Sequence, residues 1–299
     1  MLTCARTTGF EAHYVQQQGE KASGLIAGQL RERGLVTADG LESRKSVLAF
    51  AQRVMTLVPH RDSDPGCLTT IHDIGRGAQR PGLAGLGNGE LLAHTERSSV
   101  PEPPRLMLLV CLRPSVTGGE VLLTDGQAVH DHLNAEAPEA VELMSLPGTA
   151  FYGDGGGRPA QIFTRHPGGR ASIRYRQDEL AQFSSVVARF LPDLRAAIAA
   201  HQCAIILSPG QGYLIDNHRY LHARSAFSGP RLCVRALGTP LFPLPPGFAA
   251  GFADSVSATR IVTPGSPAQP SRATVDVTET GTPLVPSGVS GNADGGRTS

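Results

Sequence analysis

The sequence PPRLMLLVCLRPSVTGGEVLLTDG at residues 103–126 gives a strong indication of the fold. It contains two strand-like runs, Leu106–Leu112 and Glu120–Thr124, with a Gly-Gly pair between them at positions 118 and 119. Apolar runs of about four to eight residues bounded by turn residues are typical of buried β-strands, and adjacent glycines are typical of tight turns. The stretch therefore predicts two strands joined by a glycine turn.

The same alternation of short apolar runs and turn residues continues on both sides of this stretch. Further strand-like runs, separated by Gly, Pro, Asn and Asp, lie at 67–74, 161–164, 171–176, 204–207, 212–216 and 232–237. Helical patterns lie at about 14–33, 41–57, 127–146 and 178–201. Many short strands with turn signals favour a sandwich or a barrel. We therefore predict a mainly β protein with flanking helices.

Composition excludes two broad classes of function. The chain has 299 residues, with 27 Lys and Arg against 26 Asp and Glu, so its formal net charge is only +1. A protein that binds nucleic acid or a membrane surface through net charge needs a much larger basic excess. No apolar run approaches the ~20 residues that a membrane helix requires. The sequence therefore predicts no nucleic-acid partner and no membrane partner, and leaves the oligomeric state open.

Cysteine usage and the two ends of the chain predict the compartment and the domain boundaries. The five cysteines are scattered without a Cys-x-x-Cys pair, which favours buried reduced thiols over disulfides or a zinc site. The first residues lack the apolar core of a secretory signal. We therefore expect a cytoplasmic protein. From position 263 the composition shifts to Pro, Ser, Thr and Gly without periodicity, so we predict one domain over 1–262, with its N-terminal helices (14–57) packed on the strands, and a disordered tail over 263–299.

A His-x-Glu pattern is the first candidate for metal binding. His94 and Glu96 are two residues apart, and on an extended backbone such residues face the same side, so both can reach one ion. Two His and one carboxylate form the facial triad that leaves open positions on Fe(II). On its own the pattern is weak, and an exposed polar strand end is the competing interpretation.

The third ligand should come from a later strand. The segment YLIDNHRYLHAR (213–224) offers His218 and His222. His218 lies in a turn beside Asp and Asn, where we expect a solvated side chain, whereas His222 follows an apolar residue as a side chain entering a core would. A third cluster, His130 to His132, lies in a helical segment, where residues two apart point about 200° away from each other and cannot chelate one ion. We predict the polar face of a helix there.

Five sequence blocks together resemble a known family. The blocks are HTER at 94–97, PPRLMLLVCLRP at 103–114, GGEVLLTDG at 118–126, DNHRYLHARSAF at 216–227 and RLCVR at 231–235. They resemble the Fe(II)/2-oxoglutarate dioxygenases of the taurine dioxygenase and clavaminate synthase group, over about half of the chain. The resemblance implies a double-stranded β-helix (jelly roll) of the clavaminate synthase-like type. It also implies that His94, Glu96 and His222 are the iron ligands.

Two arginines of the last block are candidates for anion binding. Arg231 and Arg235 are four apart in an apolar strand, so both face the same side. Two inward arginines are costly unless each meets an anion, and the competing interpretation is an edge strand with both side chains in solvent. The resemblance implies that Arg231 binds the C5 carboxylate of 2-oxoglutarate and that Arg235 binds a substrate carboxylate. Val121 departs from the family pattern, because many relatives have a Thr there that donates a hydrogen bond to the same C5 carboxylate.

The implied reaction consumes O2 and 2-oxoglutarate, releases succinate and CO2, and hydroxylates a C–H bond of a small molecule. We expect an amino acid or a carboxylate-bearing intermediate of natural-product (secondary metabolism, antibiotic) biosynthesis. Desaturation or ring closure would use the same residues, whereas the presence of Glu96 argues against halogenation. Two alternatives remain. A catalytically silent jelly roll that binds a small ligand is favoured only by Val121, and a zinc hydrolase or isomerase would leave the arginine pair without a purpose.

Overall fold

The computed structural model of the chain describes residues 9–17, 19, 21–75, 81–154 and 157–251. Its strands are β1 Leu35–Ala38, β2 Met55–Leu57, β3 Leu68–Ile71, β4 Leu91–His94, β5 Leu106–Arg113, β6 Thr117–Gly118, β7 Val121–Asp125, β8 Ala150–Tyr152, β9 Arg158–Ala160, β10 Phe163–His166, β11 Arg170–Ile173, β12 Ala181–Phe183, β13 Gln202–Ile205, β14 Gly212–Asp216, β15 Tyr220–Arg224, β16 Phe227–Ser228, β17 Leu232–Pro240 and β18 Phe248–Ala249. Its α-helices are α1 Ala22–Arg33, α2 Arg44–Val54, α3 Gly126–Glu136, α4 Pro138–Met144, α5 Ser185–Ala188 and α6 Leu191–Ala200.

Two antiparallel sheets form the centre of the fold. The larger has the order β1-β14-β5-β17-β2, with β3 also paired to β17, and the smaller has the order β13-β7-β15-β4. Their inner faces share one apolar core, to which β5, β14 and β17 contribute from one side and β7, β13 and β15 from the other. A mainly β protein with flanking helices is confirmed.

The stretch that predicted two strands carries the chain from one sheet to the other. β5 lies in the larger sheet and β7 in the smaller, so they do not pair with each other. Gly118 in the connection has φ 64°, and a Cβ there would lie 2.0 Å from the carbonyl oxygen of Ala226. Only glycine allows this close approach, and the approach brings the connection against β16.

Helices cover the outer faces of both sheets. α1 and α2 pack on the larger sheet, and α3, α4 and α6 pack on the other side of the molecule, behind β15 and β7. Two predicted helices were too long. The helix expected at 14–33 begins at Ala22 and ends at Gly34, whose φ of 70° stops it, and the four buried residues of β1 follow directly. The helix expected at 41–57 begins after the Ser43 cap and gives way to β2.

Two further helical predictions were partly wrong. The segment 127–146 is broken into α3 and α4, because Ala137, the residue before a proline, leaves the helical region with φ -149° and ψ 66°. The segment 178–201 contains β12 before its two helices. Within the described ranges, no helix is both long and apolar enough to cross a lipid bilayer. The tail predicted for 263–299 lies outside the described residues.

Candidate metal centre

The two sequence patterns that suggested metal ligands meet between β4 and β15. His94 is the last residue of β4 and is the direct register partner of His222 on β15. The register shifts between His222 and Arg224, so β4 bulges immediately before His94. The ligand atoms of His94, Glu96 and His222 all lie within 4.8 Å of one another, and the two imidazole centroids are 4.2 Å apart.

Both imidazoles are held in the form that binds a metal. His94 Nδ1 lies 2.8 Å from the carbonyl oxygen of Leu92, which leaves Nε2 for the cluster. Burial lowers the pKa of His94. Burial and the neighbouring His94 push the pKa of His222 well below its ordinary value. Metal binding requires the neutral ring, so both histidines are ready to donate a lone pair.

The third member of the cluster is an ionised carboxylate. Burial on its own would raise the pKa of Glu96, but the positive charge of Arg235 is the largest opposing influence, and the pKa falls to about 2. The Nη1 of Arg235 donates to Glu96 Oε2 at 2.5 Å. Two neutral imidazoles and one carboxylate on one side of an ion are the donor set of the facial triad, so these side chains fit Fe(II) and leave positions open for other ligands.

Asn217 holds the Glu96 backbone in place, and sequence reasoning missed it. Its side-chain oxygen accepts from the Glu96 N–H at 2.7 Å, and its amide nitrogen donates to the carbonyl oxygens of Glu96 and Pro104 at 3.0 and 2.9 Å. The side chain is almost fully buried. Asn217 therefore ties the turn before β15 to the loop after β4. An Asn in a turn gives no sequence signal for a contact across 121 positions.

The anion that Arg235 meets in this structure is Glu96. Arg235 faces inward on β17, opposite Leu109 of β5. Its Nε is buried and has no hydrogen-bond partner among the described residues. The guanidinium therefore holds the metal-site carboxylate through one nitrogen and keeps an unused donor. Arg235 is a predicted site residue whose immediate neighbour the sequence did not reveal.

Arg231 immediately precedes β17. It is 6% exposed, and within the described ranges it has no hydrogen bond or ion pair, only the Phe227 ring at 5.6 Å. It lines a cavity of about 220 Å³ together with Val121. A buried guanidinium without a carboxylate is costly, so this end of the interior suits an anionic ligand. Val121 points into the same space and donates nothing to it.

Arg224 places a second guanidinium in this region. It is the direct partner of Val121 across β7 and β15. Burial, followed by the charge of Arg231, lowers its pKa to about 10. Its ring contact is Phe227, at 4.7 Å, and its Nη2 donates to the carbonyl oxygen of Gly89. Two cations therefore face the interior next to the position where Val121 offers no donor.

Tyr213 lies between the two ends of the site. It faces inward on β14 and is buried. Burial raises the pKa of its hydroxyl, while the charges of Arg231 and Arg235 both act to lower it. The hydroxyl is therefore within electrostatic reach of both arginines. The sequence shows only an aromatic residue in an apolar strand, so it gave no signal for this position.

More charged side chains surround the metal cluster. Arg176 and Asp178 form an ion pair whose Nε–Oδ1 distance is 2.6 Å, and Asp178 acts electrostatically on His94. On another side, burial lowers the pKa of His60, followed by the charge of Arg235. Side chains of positive and of negative charge therefore lie close enough to the metal cluster to act on it electrostatically.

The competing histidines lie elsewhere. His218 Nε2 is 3.2 Å from the Pro103 carbonyl oxygen, away from the cluster. His130 is on a helix as predicted, but its assignment to a polar face was wrong, since it is fully buried with its ring 5.2 Å from that of Phe163 and 5.8 Å from that of Phe248. His130 lies on the face of α3 that packs on the core, because Val129 and Leu133 on the same face are apolar and buried.

A family model describes the chain from residue 3 to residue 237, and that span covers the metal cluster and both arginines. Its description is "Taurine catabolism dioxygenase TauD, TfdA family". The chain belongs to this family. The resemblance stated from the sequence blocks is thereby confirmed.

The chain is similar in sequence to trimethyllysine dioxygenases. The mitochondrial enzymes of Gallus gallus and Homo sapiens are each 29% identical to the chain over 160 residues, which is 47% of the chain. The matched part is 38% of the length of either relative. The chain therefore spans well under half of these relatives.

Solved structures of similar fold include two oxygenases. An asparagine oxygenase in complex with Fe(II), 2S,3S-3-hydroxyasparagine and succinate is 16% identical, with TM-score 0.59, and covers 72% of this chain and 78% of its own. The non-heme iron oxygenase OrfP in complex with Fe and alpha-ketoglutaric acid is 15% identical, with TM-score 0.59 and coverage of 74% and 80%. The predicted double-stranded β-helix of this TauD, TfdA family member is confirmed.

Proposed function

We propose that this family member is an Fe(II)- and 2-oxoglutarate-dependent oxygenase that hydroxylates a C–H bond of an amino acid or of a carboxylate-bearing natural-product intermediate. One observation carries the proposal: His94, Glu96 and His222 converge as two neutral imidazoles and one carboxylate, the forms in which they bind a metal. The inner face that holds them also holds Arg231 and Arg235. Iron held by these three side chains would supply the oxidising chemistry, in which 2-oxoglutarate and O2 are consumed and succinate and CO2 are formed.

The protein groups have separate tasks in this proposal. His94, Glu96 and His222 hold the metal and leave positions open for the cosubstrate and O2. Arg231 binds the C5 carboxylate of 2-oxoglutarate, which suits a guanidinium that is buried and unpaired within the described part of the chain. Val121 cannot donate a hydrogen bond to this C5 carboxylate. Its cross-strand neighbour Arg224 instead adds positive charge near the carboxylate.

Arg235 is proposed to have two roles: it holds Glu96 in place, and it orients the substrate. A guanidinium presents five N–H donors, and the Nε of Arg235 remains buried and unused. A substrate carboxylate that accepts a hydrogen bond from this nitrogen would be held next to the metal-binding side chains. Arg176 and Asp178 offer charges of both signs near the metal cluster, which suits the ammonium and carboxylate groups of an amino acid.

The relatives support the substrate class. Two are named for trimethyllysine and asparagine, and OrfP is described in complex with (3S)-hydroxy-L-Arg. All of these are amino acids. We extend the class, without a specific member, to this chain, and infer a role in natural-product metabolism in the cytoplasm, where the four free cysteines among the described residues stay reduced.

Succinate release tests the proposal. Anaerobically prepared protein with Fe(II) and 2-oxoglutarate is exposed to O2 in the presence of single amino acids and their derivatives. We expect at least one compound to raise succinate formation and to gain the mass of one oxygen atom. His222→Ala should abolish both signals, whereas His201→Ala, a histidine paired with His132 outside the site, should retain them. Succinate formation that survives in His222→Ala would overturn the assignment.

A further inference from the structure

Two cysteines face each other across the central strands of the larger sheet. Cys111 of β5 and Cys233 of β17 are direct register partners, and both are free and buried. The backbone N–H and carbonyl of Cys111 are both engaged on the opposite side, with Gln211 and Gly210 at 2.8 Å each. The Cys111–Cys233 pair is therefore a non-hydrogen-bonded pair, for which opposed Cα atoms are ~4.5 Å apart. Disulfides require Cα separations of ~4.4–6.8 Å, so no strand has to move to join them.

The two thiols already interact and differ in acidity. The Cys233 thiol donates a hydrogen bond to the Cys111 sulfur, which lowers the pKa of Cys111 and raises that of Cys233 well above its ordinary value. The positive charge of Arg231 further favours a thiolate at Cys111. A thiol of lowered pKa that lies beside a second thiol and a cation is the arrangement of a reactive and a resolving cysteine.

A small oxidant has a route to one member of the pair. Cys111 lines the cavity of about 220 Å³ that also reaches Arg231, and Ile206, which is 65% exposed, borders the same cavity. Cys233 does not line it. The cavity therefore presents Cys111 first and keeps Cys233 behind it.

We propose that Cys111 and Cys233 form a peroxide-sensitive site that closes to a reversible disulfide between β5 and β17. In the first step the Cys111 sulfur takes one oxygen from hydrogen peroxide, giving a sulfenic acid and water. In the second step the Cys233 sulfur attacks that sulfur, the S–S bond forms, and the oxygen leaves as water with the remaining protons. The oxidant is a hydroperoxide, and a dithiol restores both thiols. The resulting bond braces the sheet next to Arg231.

Peptide mapping tests this site in the full-length protein. The protein is treated with a small excess of hydrogen peroxide, alkylated in denaturant, and digested with trypsin. We expect loss of two alkylatable thiols and a cross-link between peptide 232–235 and the peptide that contains Cys111, both reversed by dithiothreitol. In Cys233→Ser, the Cys111 sulfenic acid should persist and react with dimedone.

Matched cysteines make the test decisive. Cys203 is exposed on β13, and Cys203→Ser should form the same cross-link at the same rate. The wild-type map is independent of how well the Ser variants fold. Recovery of Cys111 and Cys233 as alkylated thiols while Cys203 is oxidised would overturn the proposal. Irreversible sulfinic or sulfonic acid at Cys111 without a cross-link would also overturn it.

Discussion

At the scale of single residues, the site depends on a few groups that neutralise each other. Glu96 is buried, and its charge is stabilised by Arg235 at 2.5 Å. Arg231 is buried in the same interior without a carboxylate in the described part of the chain. This difference separates their roles: Arg235 has a partner before any ligand enters, whereas Arg231 awaits one.

Replacing Arg231 should weaken binding of 2-oxoglutarate. A charge-assisted hydrogen bond contributes ~1.5–3 kcal/mol, so Arg231→Ala should raise the dissociation constant of 2-oxoglutarate by roughly 10- to 100-fold. Anaerobic titration calorimetry of the Fe(II)-loaded protein measures it. Arg113→Ala, an exposed arginine at the end of β5, is the control and should bind normally. Equal affinity in the two variants would contradict the role of Arg231.

Replacing Asn217 should loosen the metal site without removing a ligand. Its loss leaves the Glu96 N–H and carbonyl without their partner, and residues that support metal ligands typically account for ~10- to 100-fold in affinity. We expect Asn217→Ala to weaken Fe(II) binding by a factor in that range. Asn134→Ala, which removes only an exposed contact with Gly251, is the matched control. Unchanged Fe(II) affinity in Asn217→Ala would show that Glu96 is positioned by other contacts.

At the scale of elements, the turn from β14 to β15 is the most strongly fixed part of the site. Asp216 pairs with Arg105 through two bonds of 2.6 and 2.8 Å, and Arg219 pairs with Asp125 through bonds of 2.9 and 2.6 Å. These pairs connect the turn to the start of β5 and the end of β7. They hold in register the strand that carries His222.

Breaking one of these pairs should cost substantial stability. Asp216→Ala leaves the guanidinium of Arg105, with a side chain 14% exposed, without its carboxylate. Removing one partner of a buried pair typically costs ~3–5 kcal/mol, so urea denaturation should show a fall of that size in the free energy of unfolding. Glu139→Ala, which breaks an exposed pair with Arg189, should cost less than about 1 kcal/mol. Similar losses in both variants would contradict a structural role for the Asp216 pair.

The sequence predicted those elements whose signals are local. An apolar run predicted the strand at Leu106–Leu112, and i, i+2 spacing predicted that His94 and Glu96 face the same side. The choice of His222 as their partner came from the family resemblance. β1 was missed because its four residues follow a helix directly, and only their pairing with β14 makes them a strand. Asn217, Tyr213 and the Glu96–Arg235 contact were also missed, because each depends on residues brought together by the sheets rather than by spacing.

At the scale of the whole molecule, helices on the outside leave the space between the sheets for the site. The described residues, which run from 9 to 251 with short gaps, belong to one compact unit, and the family match ends within this range at 237. The metal cluster, the two arginines and the cysteine pair all line the interior between the two sheets. One interior therefore serves for metal binding, for cosubstrate binding and for the proposed thiol chemistry.

The predicted domain boundary at 262 leads to a simple expectation. If 263–299 adds no folded structure, a chain that ends at residue 262 should unfold at the same temperature as the full chain and bind Fe(II) with the same affinity. Differential scanning calorimetry and metal titration provide the comparison. A lower melting temperature or weaker Fe(II) binding would mean that the domain extends past the predicted boundary.

In the proposed site, His94, Glu96 and His222 hold Fe(II) while Arg231 holds 2-oxoglutarate. An anaerobic titration of the apoprotein with Fe(II) and then 2-oxoglutarate, followed by visible absorption, tests both halves at once. We expect a metal-to-ligand charge-transfer band that is absent in His222→Ala, weakened in Arg231→Ala and retained in His201→Ala. Folded protein that binds Fe(II) but shows no band at saturating 2-oxoglutarate would contradict the account and favour a jelly roll that only binds a ligand.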